Sequence, residues 1–390
     1  MTSFAKYLGF LVGPGAHGSD WDRIGTDVAV IGSMIKALGL PKLSALVLFQ
    51  ILGVSKVMFI AQLRVPTRVF LDQMDRVSKL VLGGPWNWQA TNMMHHLKES
   101  CFFPCSIKNI ECLCKAIRIR TAIHTYPRWD ESVKALVRSC CRDEANIVPF
   151  YQEWMACSSF KVLQGTLSQF PMQDFINTLE PNESIGKLAQ QSKLQHRIYQ
   201  FLLPRLAPFN LPEAVRARFE LRKWFGDSDR RYLSTVAACF LDDIHRHVPP
   251  CVIYAVLLAF FNGWPTDARF QGVTKRCMIC VDCNGTDSIE HYGSCPFHWR
   301  VFAHKFNVSV FPMTLQRMLG LCTTSLDLKV FHAVHIYAVY TATNFTRYSC
   351  DRACQECKVQ SLIWHGHIKA TLFHQGLRKR YSERFQIEST

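Results

Sequence analysis

Cysteine and histidine side chains are concentrated between residues 277 and 295, where the sequence reads CMICVDCNGTDSIEHYGSC. Cys277 and Cys280 form a C-x2-C pair, and His291 and Cys295 form an H-x3-C pair that one helical turn would bring to the same side. Thiolate sulfur and imidazole nitrogen from two short segments are the ligands that Zn²⁺ prefers in tetrahedral sites. The spacing C-x2-C-x10-H-x3-C therefore predicts one zinc ion bound by Cys277, Cys280, His291 and Cys295.

Cys283, inside the same segment, leaves a second ligand set open. If Cys283 replaced Cys280, the first pair would become C-x5-C. We favour the shorter C-x2-C knuckle, because its spacing lets both sulfurs point at one ion. Four protein ligands close the coordination shell, whereas a catalytic zinc keeps one position for water. We therefore expect a structural zinc, and the alternative is a set of reduced cysteines beside a histidine with no metal.

A second group near the C-terminus, Cys350, Cys354, Cys357, His365 and His367, has a spacing that suits one helix face but matches no zinc arrangement. We expect buried thiols there rather than a second metal. The chain has 17 cysteines in all, and its first residues show no basic segment followed by an apolar run and a cleavage site. Most cysteines are therefore expected to be reduced, and the predicted location is nuclear or cytoplasmic.

Basic side chains outnumber acidic ones, 45 to 30, so the formal net charge is +15 and the sequence pI is near 9.2. A balance of this kind favours polyanionic partners, of which nucleic acid is the commonest. Hydrophobic residues make up 48% of the chain and charged residues 19%, which indicates a globular rather than a disordered protein. The basic tail from Lys369 to Arg384 is either a solvated helix end or an arm that contacts phosphates.

Helical signals dominate the sequence. Phe70, Met74, Val77 and Val81 are spaced four, three and four residues apart, so they share one face of a helix. Two helical patterns precede this one, and their short connections predict a three-helix bundle over about residues 27–82. Strand signals are sparse, the clearest being FAKYLGFLV near the N-terminus. We therefore predict a mainly α fold with an N-terminal β-hairpin, a three-helix bundle, a further helical region, a small CCHC knuckle and a helical C-terminal tail.

Glycine and proline residues divide the helical pattern into segments. They break it directly after the bundle and again across residues 165–185. Residues 184–203 then have the pattern of one amphipathic helix. The predicted divisions of the chain are residues 1–26, 27–87, 88–170, 184–262, 263–300 and 301–390.

The run from Leu43 to Leu63, LSALVLFQILGVSKVMFIAQL, is long and apolar enough to raise the question of a membrane span. Lys56 lies inside the run, where a charge is costly in lipid, and Ser44, Gln50 and Ser55 interrupt it. We therefore expect a buried helix, in a protein with no membrane partner.

Three short stretches resemble the C-terminal part of the reverse transcriptases of LINE-type retrotransposons, which lack long terminal repeats. They are KYLGFLVGPGAHGSDWD at residues 6–22, FNGWPTDARFQ at 261–271 with the CMIC and DSIEHYGSC that follow, and HIYAVYTATNFTR at 335–347. Between these three stretches, only the predicted helical character supports the resemblance. The resemblance implies that Lys6 and Tyr7 lie near a primer end, that the three-helix bundle is a thumb on the template–primer duplex, and that the cysteine segment is a zinc knuckle.

The same resemblance places the catalytic carboxylates of the family in a palm domain before the KYLG stretch, where this chain has only five residues. Polymerisation needs such carboxylates to hold two metal ions. Phe240-Leu241-Asp242-Asp243 matches the F/Y-x-D-D signature of that domain. However, it lies far after the KYLG stretch, in a helical pattern with no strand before it. We expect a surface acidic pair at a helix end, and no polymerase activity from the chain alone.

The predicted function is nucleic-acid binding by a thumb-and-knuckle fragment, with RNA or DNA as the partner and a palm domain of another chain as a further candidate. Besides Lys6 and Tyr7, the candidate contacts are basic residues of a helix, the knuckle and the tail: Lys115, Arg118, Arg120, Lys275, Arg276, Arg378, Lys379 and Arg380. Three aromatic residues either stack on bases or pack around the metal, namely Trp264, Tyr292 and Trp299. The alternative function is a zinc-stabilised helical scaffold or interaction protein with no nucleic-acid role.

Overall fold

The computed structural model is mainly helical, as the sequence pattern predicts. It describes residues 5–7, 10–12, 19–62, 64–84, 88–124, 165–270, 276–280, 283, 285–306, 313–348, 355–372, 376 and 379. The chain divides into two compact units. Unit 1 comprises Met1–Leu40, Ser44–Leu82 and Ile107–Pro208, and unit 2 comprises Pro41–Leu43, Gly83–Ser106 and Phe209–Thr390. The predicted boundary across residues 165–185 lies within the Ile107–Pro208 segment of unit 1, and unit 2 resumes at Phe209.

Two short strands occur near the N-terminus of unit 1, β1 (Ala5–Tyr7) and β2 (Phe10–Val12). They pair antiparallel, with Tyr7 opposite Phe10 and Lys6 opposite Leu11. The pair coincides with the FAKYLGFLV pattern, in which strand formation was expected. Apart from an isolated antiparallel bridge between Arg276 and Thr286, the other regular secondary structure in the described residues is helical.

Three helical stretches follow in unit 1. The first is α1 (Ser19–Ala37), and the second consists of α2 (Lys42–Phe49), a π-helical turn (Gln50–Val54) and α3 (Ser55–Ile60). The third is α4 (Arg68–Leu82), which packs mainly on α1. The four residues predicted to share one face of α4 are all buried: Phe70, Met74, Val77 and Val81.

Glycines on α1 allow it to approach α4 closely. A Cβ built on Gly32 would overlap the side chain of Val77, and a Cβ on Gly25 would overlap that of Gln73. These two glycines are seven residues apart, so they lie on the same face of α1. The absence of side chains there lets the two backbones pack at short distance.

The apolar run expected to be a buried helix is helical but only partly buried. Lys42–Ile60 is, among the described residues, a helix long and apolar enough to cross a membrane by length and composition, and 39% of it is buried. Val47 and Ile51 are exposed, whereas Lys56 pairs with Asp27 of α1 at 3.0 Å. The expectation of a buried helix therefore holds for one face only, because a helix on the outside of a small bundle buries one stripe of its surface and leaves the rest exposed.

The remaining described part of unit 1 is also helical. It contains the helical residues 110–124, α5 (Met172–Asn177), α6 (Ile185–Gln190) and α7 (Leu194–Leu206). The single helix predicted over residues 184–203 is wrong, because α6 and α7 are separate. Ser192 between them has φ 57°, in the left-handed region, which interrupts the helical hydrogen bonds.

Unit 2 is built around a helix that is apolar on all sides. Its helices are α8 (Leu211–Leu221), α9 (Asp227–Ile244), α10 (Pro250–Phe260), α11 (Asp267–Phe270), α12 (Ile289–Ser294), α13 (Pro296–Phe306), α14 (Leu315–Met318), α15 (Leu326–Tyr348) and α16 (Gln355–Leu372). Every side chain of α10 from Val252 to Phe260 is buried. Such a helix is stable only inside a core. The neighbour that it contacts most is α15, which also packs on α9 and α16.

Asp242 and Asp243 lie in the last turn of α9. Their side chains are 63% and 43% exposed. Asp243 pairs with Lys329 at 2.5 Å, and a carboxylate oxygen of Asp242 lies 3.7 Å from Nδ1 of His245. The pair thus has the setting of a surface acidic group at a helix end, as predicted, rather than that of a strand-borne catalytic pair.

Candidate metal centre

The cysteine segment of unit 2 folds as a loop followed by a helix. The N–H of Cys277 donates to the carbonyl of Gly285 at 2.9 Å, which ties the two ends of the loop together. A Cβ on Gly285 would overlap the imidazole of His291, so the loop has glycine where the two ligand segments meet. Ser288 caps α12, its Oγ accepting from the N–H of His291 at 3.1 Å. Cys295 directly follows that helix, so the H-x3-C pair turns towards the first cysteines.

The Sγ atoms of three predicted ligands form a triangle. Cys277 lies 3.9 Å from both Cys280 and Cys295, and Cys280 lies 3.6 Å from Cys295. A tetrahedral ion with zinc–sulfur bonds of about 2.3 Å places its sulfur ligands roughly 3.8 Å apart. The three thiols are therefore spaced like the ligands of one tetrahedral ion.

Cys283 and His291 complete the group of donors. Nε2 of His291 lies 3.1 Å from Sγ of Cys283, and one donor atom each from Cys277, Cys283, His291 and Cys295 lies within 4.8 Å of the others. The Sγ atoms of Cys280 and Cys283 lie directly beside each other in the structure. This Cys3His group, which could hold a metal ion, thus contains Cys283 where the sequence spacing favoured Cys280. A tetrahedral ion has room for only one of these two thiols beside the other three ligands.

Hydrogen bonds around the sulfurs favour a thiolate at Cys295. The thiol of Cys277 donates to it, and the N–H groups of Phe297 and His298 in the first turn of α13 also donate to it, so its pKa is lowered to about 7. The contact with Cys295 and burial raise the pKa of Cys277, whose Sγ also accepts from the N–H of Ile279 at 3.4 Å. A cation that displaced the thiol proton of Cys277 would leave two thiolates, which is the form that binds metal.

A buried carboxylate beside the donor group was missed by the sequence reasoning. Asp287 is fully buried and accepts from Nη2 of Arg347 at 2.5 Å, from the hydroxyl of Tyr292 and from the N–H of Asp267 at 2.8 Å. A buried charge is tolerated when it is paired and hydrogen-bonded in this way. The network connects α11, α12 and α15. Asp287 and Arg347 are 60 residues apart, so no local pattern could have identified the pair.

The three aromatic residues proposed either to stack on bases or to pack are all buried: Trp264, Tyr292 and Trp299. The ring centroids of Trp264 and Tyr292 lie 5.9 Å apart. Nε1 of Trp299 donates to the carbonyl of Gly293 at 2.8 Å. The structure therefore has these residues packed inside unit 2, and none of them presents a ring face to solvent.

The predicted basic contact residues differ in exposure. Arg118 is only 7% exposed, and its Nη1 donates to the carbonyl of Arg64 at 3.3 Å. Burial also lowers the pKa of Arg118. The expectation that this guanidinium faces phosphates is therefore corrected, because the side chain is buried in the interior of unit 1. Lys115 and Arg120 on the same helix are half-buried, and Arg276 beside the first ligand is exposed.

Other predicted contact residues lie at the ends of the described chain. Lys6 and Tyr7 are in β1, and Lys379 is exposed. The side chains of Lys6 and Tyr7 are outside the part of the chain that the structure describes. The same is true of three whole residues, Lys275, Arg378 and Arg380.

The second cysteine–histidine group is divided between solvent and interior in its described part. His365 is exposed and His367 is buried, so these two imidazoles do not face a common site. Cys350 and Cys354 lie outside the described residues, as does the side chain of Cys357.

His367 instead belongs to a chain of three buried histidines that connects α13, α15 and α16. Nε2 of His298 donates to the carbonyl of Tyr292, so its Nδ1 accepts from Nε2 of His335 at 3.0 Å. Nδ1 of His335 then accepts from Nε2 of His367 at 3.2 Å. Burial lowers the pKa of His298 to about 4 and that of His335 well below its usual range, so both are neutral at pH 7. The three residues are 37 and 32 positions apart, which hides the chain from sequence reasoning.

No protein-family model matches the chain, and no curated protein matches it in sequence. The function is therefore inferred from the chemistry of the donor group, the charge of the chain and the short resemblances in its sequence.

Proposed function

We propose that the cysteine segment binds one structural zinc ion through Cys277, His291, Cys295 and one thiol from the pair Cys280 and Cys283. The spacing of the three sulfurs, 3.6 to 3.9 Å, is the observation that supports this most directly. Thiolate and imidazole ligands in tetrahedral geometry are typical of Zn²⁺. Four protein ligands leave no position for water, so the ion stabilises the module. An apparent zinc-binding free energy of roughly 10–16 kcal/mol is enough to stabilise the fold of a short loop and helix.

We propose further that the chain binds RNA or DNA, as a fragment related to the thumb and zinc-knuckle region of LINE-type reverse transcriptases. The net charge of +15 supports electrostatic binding to a polyanion. Arg276, exposed beside Cys277, adds a basic side chain on the surface of the zinc module. In this proposal α1 to α4 of unit 1 form the thumb, and the β1–β2 pair with Lys6 and Tyr7 supports a primer end.

In this proposal the chain binds nucleic acid, and a palm domain of another chain would catalyse polymerisation. Phosphoryl transfer to a growing strand needs carboxylates that hold two metal ions. The Asp242–Asp243 pair does not suit that task, because Asp243 is bound to Lys329 and both carboxylates lie at an exposed helix end.

The experiment that tests both parts measures the zinc content of the purified protein and its binding to a nucleic-acid duplex at about 50 and 200 mM salt. We expect one zinc per chain, absent from Cys277→Ser and retained by Cys239→Ser, which removes an exposed thiol of α9. Binding should weaken steeply with salt, because several phosphate contacts release counterions. A purified protein without zinc would contradict the metal site, and binding that ignores salt would contradict the electrostatic mode.

A second candidate function is a zinc-stabilised helical scaffold or interaction protein. The burial of Trp264, Tyr292 and Trp299 favours it, because modules that bind single strands usually present aromatic faces to the bases. Full zinc occupancy without nucleic-acid binding at low salt would select this function over the first.

A further inference from the structure

The donor group of the zinc module contains one thiol more than a tetrahedral ion can bind. Sγ of Cys280 lies 3.9 Å from that of Cys277 and 3.6 Å from that of Cys295, at the spacing of zinc ligands. Sγ of Cys283 lies 3.1 Å from Nε2 of His291 and belongs to the same group of donors. Since four positions are shared by five donor residues, either Cys280 or Cys283 stays uncoordinated when an ion is bound.

The two competing thiols are placed so that they can bond covalently to each other. Their Sγ atoms lie directly beside each other, and their Cα atoms are 6.1 Å apart. Disulfides span Cα–Cα distances of about 4.4–6.8 Å, so the backbone need not move to join Cys280 to Cys283. Only Val281 and Asp282 separate them, which is the C-x2-C spacing of reversibly oxidised thiols. The pair can therefore either supply the fourth zinc ligand or form a disulfide.

The cysteines of the donor group differ in access to solvent. Cys283 is half-buried, whereas Cys277 and Cys280 are each only 5% exposed and Cys295 is fully buried. Oxidation of cysteine is faster at exposed thiolates. A small oxidant therefore reaches Cys283 before the other three, and Cys280, directly beside it, is the sulfur placed to react next.

We propose that Cys280 and Cys283 form an oxidation site that controls whether the module retains its zinc ion. The proposal rests on the proposed zinc site and adds a route by which that site is emptied. In the reduced protein Cys280 completes the zinc ligands and Cys283 is a reserve thiol. In the oxidised protein the two sulfurs are bonded to each other. Because thiolates rather than disulfide sulfurs bind zinc, only three ligands remain and the ion is released.

The oxidant is a hydroperoxide, of which hydrogen peroxide is the simplest. The thiolate of Cys283 attacks the O–O bond, which forms a sulfenic acid and releases hydroxide. The thiolate of Cys280 then attacks the sulfenic sulfur, so that the S–S bond forms, the S–O bond breaks and a second hydroxide leaves. The two sulfurs lose two electrons, the peroxide gains them, and solvent protons convert both hydroxides to water. Two molecules of a small thiol reverse the oxidation by thiol–disulfide exchange.

The test follows zinc release from the full chain, which is purified under reducing conditions, freed of reductant and treated with hydrogen peroxide. A chromogenic zinc chelator reports the rate. Proteolytic cleavage before Asp282 splits the chain between Cys280 and Cys283, so their disulfide is recognised by mass spectrometry as two peptides that separate on reduction. We expect one zinc released for each such disulfide, and recovery of zinc binding after a thiol reductant and fresh zinc are added.

Cys283→Ser is the test variant, because it should keep its zinc but lacks the exposed partner of the disulfide. Its zinc release should be about ten-fold slower than that of the wild type, since the remaining cysteine ligands are 5% exposed or less. Cys239→Ser, which removes an exposed thiol of α9, is the matched control and should release zinc at the wild-type rate. If Cys280→Ser is instead the variant that keeps its zinc, the same slow release is expected of it, because it also lacks one partner of the disulfide.

Three results would overturn the oxidation site and leave the proposed zinc site standing. They are zinc that stays bound to the wild type in hydrogen peroxide, release at the wild-type rate from the variant that keeps its zinc, and release with a disulfide between Cys277 and Cys295 instead. Zinc loss from both Cys280→Ser and Cys283→Ser before any oxidation would also overturn it, because neither thiol would then be in reserve. A wild-type protein purified without zinc would overturn the proposed metal site itself, and this inference with it.

Discussion

The Sγ atoms of Cys277 and Cys295 lie 3.9 Å apart, although the two residues are 18 positions apart in the chain. Two local features bring them together, the hydrogen bond from Cys277 to Gly285 and the Ser288 cap on α12. The hydrogen bond from Cys277 lowers the pKa of Cys295 to about 7, which favours a thiolate at this position. Metal binding at this pair would displace the thiol proton of Cys277.

The two thiols that compete for the fourth ligand position can be distinguished by substitution. We expect Cys280→Ser to release zinc and Cys283→Ser to retain it, because Sγ of Cys280 lies at the tetrahedral spacing from both Cys277 and Cys295. The measurement is elemental analysis of each variant with thermal unfolding in the presence and absence of a chelator. Zinc loss from Cys283→Ser alone would assign the position to Cys283 instead.

The buried ion pair at the base of the module should contribute strongly to stability. Asp287→Asn leaves Arg347 buried without its counter-charge, so we expect a loss of roughly 3–5 kcal/mol in the free energy of unfolding. Asp243→Asn is the matched control, because it breaks an exposed pair with Lys329 and should cost no more than about 1 kcal/mol. Denaturant unfolding measures the free energy of unfolding of both variants. Equal losses would show that the buried Asp287–Arg347 pair contributes no more to stability than the exposed pair.

Stability should fall in acid partly because His332 is buried. Burial, and then the charge of Arg317, lower its pKa to about 4 in the folded protein, whereas the unfolded chain takes up that proton near pH 6.5. The folded state therefore has its full stability above pH 6.5, and loses on the order of 3 kcal/mol from this group as pH falls to 4.

His332→Leu removes that titration and should flatten the fall in stability between pH 6.5 and 4. His365→Gln is the control, because His365 is exposed. Both variants keep the same metal ligands, so loss of zinc in acid affects them equally. Denaturant unfolding across this pH range gives the comparison, and parallel curves for His332→Leu and the wild type would contradict the assignment.

Gly293 should not tolerate a side chain. A Cβ at this position would lie 2.5 Å from Cα and 2.7 Å from N of Leu315, which are backbone atoms that cannot turn aside. We expect Gly293→Ala to cost about 1–3 kcal/mol of stability. Gly186→Ala in α6, where nothing lies within 4 Å of the added carbon, should instead gain roughly 0.5–1 kcal/mol. A neutral Gly293→Ala in thermal unfolding would mean that the α12–α14 packing can relax.

Much of the local structure could be predicted from the sequence, because local structure depends on residues that are close in the chain. The four, three and four spacing of apolar residues correctly located the buried face of α4, and the isolated strand pattern marked the β1–β2 pair. The same reasoning merged α6 with α7, because a left-handed Ser192 leaves no signal in an amphipathic pattern. The burial of the Lys42–Ile60 stretch was overestimated for a similar reason, since composition does not tell how much of a helix its neighbours cover.

The sequence by itself determined which side chains could bind a metal, since ligand type and short spacing are written in the chain: Cys277, Cys280 or Cys283, His291 and Cys295. Only the tertiary structure decided which groups from distant segments meet. It paired Asp287 with Arg347, aligned the three buried histidines, and brought Arg222, directly after α8, and Arg269 of α11 to Asn262. It also turned Arg118 inward, although its charge suggested a solvent-facing contact. The physical reason is that burial and long-range pairing depend on how helices pack, which no local spacing encodes.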